Sequence, residues 1–87
     1  MGIDVMIVGA AEDIASRPSD ELYYWLDALF EDYEIRYGYV VLEQGHVARL
    51  RTQFAEDDVG AMLLKKIDAM SERGAQPPYI IELMIGA

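Results

Sequence analysis

The sequence predicts an α+β domain with elements in the order β-α-β-β-α-β. Three observations predict it. The chain opens and closes on β-rich apolar runs, I-D-V-M-I-V-G and Y-I-I-E-L-M-I-G. Two segments between them carry apolar residues at three- and four-residue steps, the spacing of a half-buried helix. Gln44-Gly45 separates two further runs whose side chains alternate in character, as in a hairpin. With right-handed crossovers this order gives the ferredoxin-like sandwich, a four-stranded antiparallel sheet with two helices on one face and strand order 4-1-3-2. The 87 residues read as a single compact domain spanning 1–87.

The first strand ends at Gly9, and the loop A-E-D-I-A-S-R-P-S-D follows. Ser19 is placed to cap a helix whose first turn carries Asp20 and Glu21, where carboxylates meet the positive end of the helix dipole. Leu22, Trp25, Leu26, Leu29, Phe30 and Tyr33 form its apolar stripe. Ile35 to Glu43 reads as the second strand, and His46 to Phe54 as the third. A second helix starts near Asp57, with Val59, Met62, Leu63, Ile67 and Met70 toward the core. Gly74 stands beyond its end, where a positive φ costs glycine nothing, and Pro77-Pro78 bars any extension.

A Gln44-Gly45 turn fixes the expected register. It pairs Leu42 with Val47, Val40 with Arg49 and Gly38 with Arg51. Period two then sends Ile35, Tyr37, Tyr39, Val41, Ala48, Leu50, Thr52 and Phe54 toward the helices. In the last strand Tyr79, Ile81, Leu83 and Ile85 are expected inward. The outer face is expected to gather Met6, Val8, Val40, Leu42, Val47, Ile80 and Met84, punctuated by Arg49, Arg51, Asp4 and Glu82. An apolar patch of that kind is expected to be an interface.

Sixteen acidic residues against seven basic ones give a net charge of −9. That field opposes DNA, RNA and anionic membranes, so neither nucleic acid nor membrane is an expected partner. With no cysteine, the chain has no disulfide, thiolate metal site or cysteine nucleophile. Ile3 to Ala11 is apolar but interrupted by Asp4, and too short to span a bilayer; a soluble, cytoplasmic protein is expected.

Searching for chemistry yields little. His46 is the single histidine and reads as a solvent-facing hairpin residue. Glu12-Asp13, Asp20-Glu21 and Glu56-Asp57-Asp58 lack the spacing of a calcium loop, and two of the three sit at helix starts. G-A-A-E is neither a phosphate-binding loop nor a dinucleotide fingerprint, and no serine stands in G-x-S-x-G. No catalytic residue, metal ligand or cofactor is therefore assigned. The expectation is a noncatalytic interaction or regulatory domain that forms a homodimer through the helix-free sheet face, with another homo-oligomer or a protein partner as its other expected assemblies. Two alternatives stand beside it. One is an enzyme binding a small molecule or divalent metal at the 9–18 loop through Gly9, Glu12 and Asp13. The other is an acidic inhibitor that imitates nucleic acid in a basic protein groove.

Overall fold

The computed structural model describes residues 4–7, 15–16, 18–30 and 37–86, with side chains over 18–30 and 38–84. The first helix, α1, spans Asp20–Leu29. Ser19 caps it as the sequence predicts, its Oγ accepting from the Leu22 amide at 3.3 Å. The helix buries Leu22, Tyr23 and Leu26, and Phe30 continues the same stripe into the core.

Two strands form the ladder that the helices pack on. These are β3 (Tyr37–Leu42) and β4 (Tyr79–Gly86), numbered after β1 (Asp4–Ile7) and β2 (Ala15–Ser16). They pair antiparallel from Tyr37 opposite Met84 to Leu42 opposite Tyr79. β4 also pairs with β1 on its other edge, and the two-residue β2 pairs with β1, so the strands lie in the order β2-β1-β4-β3.

The hairpin is absent. Residues 44–53, half of the predicted hairpin, form helix α2 (Gln44–Gln53). Glu43 is its N-cap residue, and the Glu43 amide donates to His46 Nδ1 at 2.9 Å. This is the return arm of a capping box, closed here by a histidine. His46 is therefore a helix-start residue rather than a hairpin one. Val47, Leu50 and Phe54 then recur at helical steps: Leu50 and Phe54 are buried, and Val47 packs against the core.

The ferredoxin-like arrangement is overturned by that helix. Among the described residues the chain is a small α+β fold with three helices, which pack on the two-stranded antiparallel β3–β4 ladder. Without the hairpin, β3 takes its register from β4 alone, which also inverts its faces. Leu42 opposes Tyr79 and Val40 opposes Ile81, so the even positions of β3 accompany the buried odd positions of β4. Val40 and Leu42, expected outside, are core residues, while Tyr39 and Val41, expected inside, are exposed.

Helix α3 spans Asp58–Glu72 and buries Val59, Gly60, Leu63, Leu64 and Ile67. Its start is tied to that of α1 through one side chain. Asp57 Oδ1 accepts from the Val59 amide at 3.0 Å, while Oδ2 accepts from the Ser19 amide at 2.8 Å. Burial pushes the Asp57 carboxyl up, but the hydrogen bonds from Ser19, Val59 and Gly60 together outweigh it and hold it below the ordinary range. Gly60 lets α3 seat on the end of α2: a Cβ there would lie 2.0 Å from the Phe54 carbonyl oxygen. At the far end, Gly74 takes a φ of 91°, as its position after the helix predicts. One core unites the three helices with Val40, Leu42, Tyr79, Ile81 and Leu83.

Candidate interaction surface

Among the described residues the strand pattern leaves the other side of the β3–β4 ladder without a helix. Side chains alternate along a strand, and directly opposed residues share a face. With Val40, Leu42, Tyr79, Ile81 and Leu83 buried, the reverse face displays Tyr39, Val41, Ile80, Glu82 and Met84. Tyr39 is 69% exposed, Ile80 58%, Val41 46% and Met84 38%, values too high for any of them to belong to the core. Val41 and Ile80 stand directly opposite, and Tyr39 opposes Glu82. Among the described residues of β3 and β4 on this face, Glu82 is the single charge, and it is half-buried.

Backbone register brings β1 alongside, with Met6 opposite Met84 and Asp4 opposite Gly86. Of the residues the sequence assigns to the outer face, Ile80, Glu82 and Met84 thus share the open face, and Met6 and the acidic Asp4 stand in register with it. Val8, Gly9, Glu12 and Asp13 lie outside the described residues.

Arg49, Arg51 and Val47 are elsewhere, because α2 is a helix. Two residues apart on a strand point the same way; on a helix they stand about 200° apart. Arg49 accordingly turns toward α1, its guanidinium carbon 5.6 Å from the Trp25 ring centre and 6.0 Å from that of Phe54. Trp25 also lies 5.7 Å from Phe54 and 6.0 Å from His46, centre to centre. Gln53 Oε1 accepts from Arg49 Nε at 3.0 Å, fixing the guanidinium in place. These contacts make Arg49 a clasp between α1 and α2 through its flat cation and their aromatic faces.

Arg51 turns the other way and pairs with Asp68 of α3. The hydrogen bond to Asp68 raises the Arg51 guanidinium above its ordinary value. Both side chains remain half exposed, so water screens the pair and its contribution to stability is small. Beside it runs an open groove of about 240 Å³, lined by Val47, Arg51, Ile67, Asp68 and Tyr79 among others. Neither arginine borders the open sheet face as the hairpin register requires.

The geometry brings together no reacting constellation among the described residues. Among the described residues no group of three or more histidine, aspartate or glutamate side chains could hold a metal ion. His46, the sole imidazole, has its Nδ1 committed to the Glu43 amide. No helix among the described residues is long and apolar enough to cross a membrane. Two signals in the sequence mark this organisation and outweigh the alternation: Glu43-x-x-His46 at a helix start, and Val47, Leu50 and Phe54 at steps of three and four. Comparison with known proteins finds no matching family model, no matching curated protein and no matching solved structure.

Proposed function

We propose that this chain is a noncatalytic interaction domain that associates with a second copy of itself through the helix-free face of the β3–β4 ladder. One observation carries the reading. Tyr39, Val41, Ile80 and Met84 are exposed side by side on a face of the β3–β4 ladder whose described residues carry one charge, Glu82, with the acidic Asp4 of β1 in register at its border. Burying such residues removes apolar surface from water, the main favourable term in association. A charge-poor centre is also what separates an interface from ordinary surface.

The net charge bears on how copies meet. Two chains of −9 repel at long range, and a patch that leaves the carboxylates at the periphery lets them approach with the least repulsion. Salt then strengthens self-association by screening, because raising the ionic strength from about 0.1 M to about 1 M shortens the Debye length from about 10 Å to about 3 Å. An acidic chain that instead imitated nucleic acid would bind its basic partner more weakly in salt. The sign of the salt effect therefore separates the two.

Ile80→Glu tests the reading. Its side chain is outside the core, so the monomer keeps its circular dichroism spectrum. An unpaired glutamate at the centre of an apolar contact must be desolvated on association. Sedimentation is expected to show the variant at least tenfold weaker in association than the wild type. A wild-type chain that sediments as a monomer at every accessible concentration would overturn the proposal.

A further inference from the structure

The face is not the whole of the sheet's unsatisfied surface. β3 pairs with β4 along one side, and among the described residues no strand pairs with its other side. Along such an edge, alternate backbone N–H and C=O groups point away from the sheet without a ladder partner. Natural edge strands are blunted by charge, by proline or by a bulge. Tyr37 to Leu42 reads Y-G-Y-V-V-L: it has no charge and no proline, and its six residues pair with β4 in unbroken register. In a chain with 23 charged residues, this segment carries none of them.

We propose that this edge takes the β3 strand of a second copy, antiparallel, about a two-fold axis at Val40. The hydrogen-bonding groups specify an extended backbone as the occupant, and the side chains specify which one. In a continuous antiparallel sheet opposed residues share a face, so exposed positions must oppose exposed positions. Centring on Val40 places Tyr39 opposite Val41 of the second copy, and Val41 opposite its Tyr39. Both are exposed, and an aromatic paired with a β-branched residue is a favourable cross-strand combination. On the inner face the register sets Val40 opposite its own copy and Leu42 opposite Gly38; Val40 and Leu42 are already buried within their own chain, so the side-chain match rests on the Tyr39–Val41 pairs. Five residues, 38–42, are used. Centring on Tyr39 would instead set two tyrosines against each other and leave Leu42 beyond the strand.

Edge pairing leaves Tyr39, Val41, Ile80 and Met84 uncovered, because the two sheets join side by side. The full assembly rests on the face-to-face reading given above; the edge contact does not. Together the two contacts build four copies, as two joined sheets stacked on their apolar faces.

The test uses Ile80→Glu to remove the face contact and engineered thiols to read the edge. The chain has no cysteine, so an introduced one is its sole thiol. Tyr39→Cys and Val41→Cys are made in the Ile80→Glu background, each at an exposed position that tolerates the change. Opposed Cβ atoms lie about 5 Å apart, whereas diagonal ones lie about 7–8 Å apart, too far for a disulfide without backbone movement. Under mild oxidation an equimolar mixture of the two is expected to give several-fold more linked dimer than either alone. Amide exchange on the Ile80→Glu protein should slow at alternate β3 positions as concentration rises. Sedimentation should show four copies for the wild type and two for Ile80→Glu. A wild type of two copies with the mixed linkage intact overturns the face reading and keeps the edge. A monomeric Ile80→Glu, or a mixture that links no better than its components, overturns the edge.

Discussion

Residues 37–42 and 44–53 are neighbours in the chain, and the hairpin reading joins them, yet one is a strand and the other a helix. The difference lies in what the polar positions are. In Y-G-Y-V-V-L no position is charged, and tyrosine and valine suit a pleated surface better than a helix. In Q-G-H-V-A-R-L-R-T-Q six of the ten residues are glutamine, alanine, arginine or leucine, which favour the helix. Its apolar members also satisfy two periods at once, since 48, 50, 52 and 54 alternate while 47, 50 and 54 step by three and four. Leu50 and Phe54 belong to both patterns. Composition and capping decide between them, and both favour the helix.

The strand side of the comparison has the largest expected effect. If β3 faces inward at its even positions, Leu42→Ala empties a fully buried site and is expected to cost about 2–5 kcal/mol of stability. Val41→Ala, one residue away on the open face, is expected to cost under about 1 kcal/mol in the unassociated chain. Urea unfolding of both variants at a concentration that keeps the chain monomeric makes the comparison. A larger loss from Val41→Ala than from Leu42→Ala would restore the face assignment that the hairpin implies.

What was legible follows the same division. Elements whose signals agree at several levels are where the sequence places them. α1 has its serine cap, its acidic first turn and its stripe; α3 has Asp57, its buried Val59, Leu63 and Ile67, and Gly74 beyond its end. The inward set of β4, Tyr79, Ile81 and Leu83, is also as expected, because eight residues with one charge leave little freedom of phase. The face of β3 was illegible by itself. Its residues are apolar on both sides, so its phase depended wholly on the partner chosen for it. Pairing it with 46–54 instead of β4 put Tyr39, Val40, Val41 and Leu42 on the wrong faces, as a one-residue slip does. The candidate surface inherited that error at Val40, Leu42, Val47, Arg49 and Arg51, while Ile80 and Met84, which depend on β4 alone, did not.

The helical side is held by caps as much as by burial, and Asp57 measures how much. Asp57→Ala removes acceptors from the starts of α1 and α3 together and is expected to cost about 1–2 kcal/mol, the upper part of the range for one cap. The pH dependence has a definite sign. The folded carboxyl is held below its ordinary value, so its contribution is complete above the unfolded value and is lost as pH falls through the folded one. The gap between wild type and Asp57→Ala in urea should therefore narrow on acidification below the ordinary aspartate range. A gap that stays constant there would mean that the carboxylate charge plays no part in holding the two helix starts.

The smallest effect has the most telling sign. Gly45 sits in the first turn of α2, where its φ is not positive and a Cβ would meet nothing within 4 Å. Glycine there loses more backbone freedom on folding than alanine would, and it costs a helix roughly 0.5–1 kcal/mol. Gly45→Ala is thus expected to stabilise the chain by about that amount and, for a domain of this size, to raise the melting temperature by roughly 2–8 °C. A Gln44-Gly45 hairpin turn demands the opposite. Both central residues of its usual form have positive φ, where alanine's Cβ is strained and the same substitution destabilises. Few single changes reverse sign between two folds of one segment. A melting temperature that falls in Gly45→Ala would return residues 44–53 to the hairpin, and with them the inward assignment of Tyr39 and Val41.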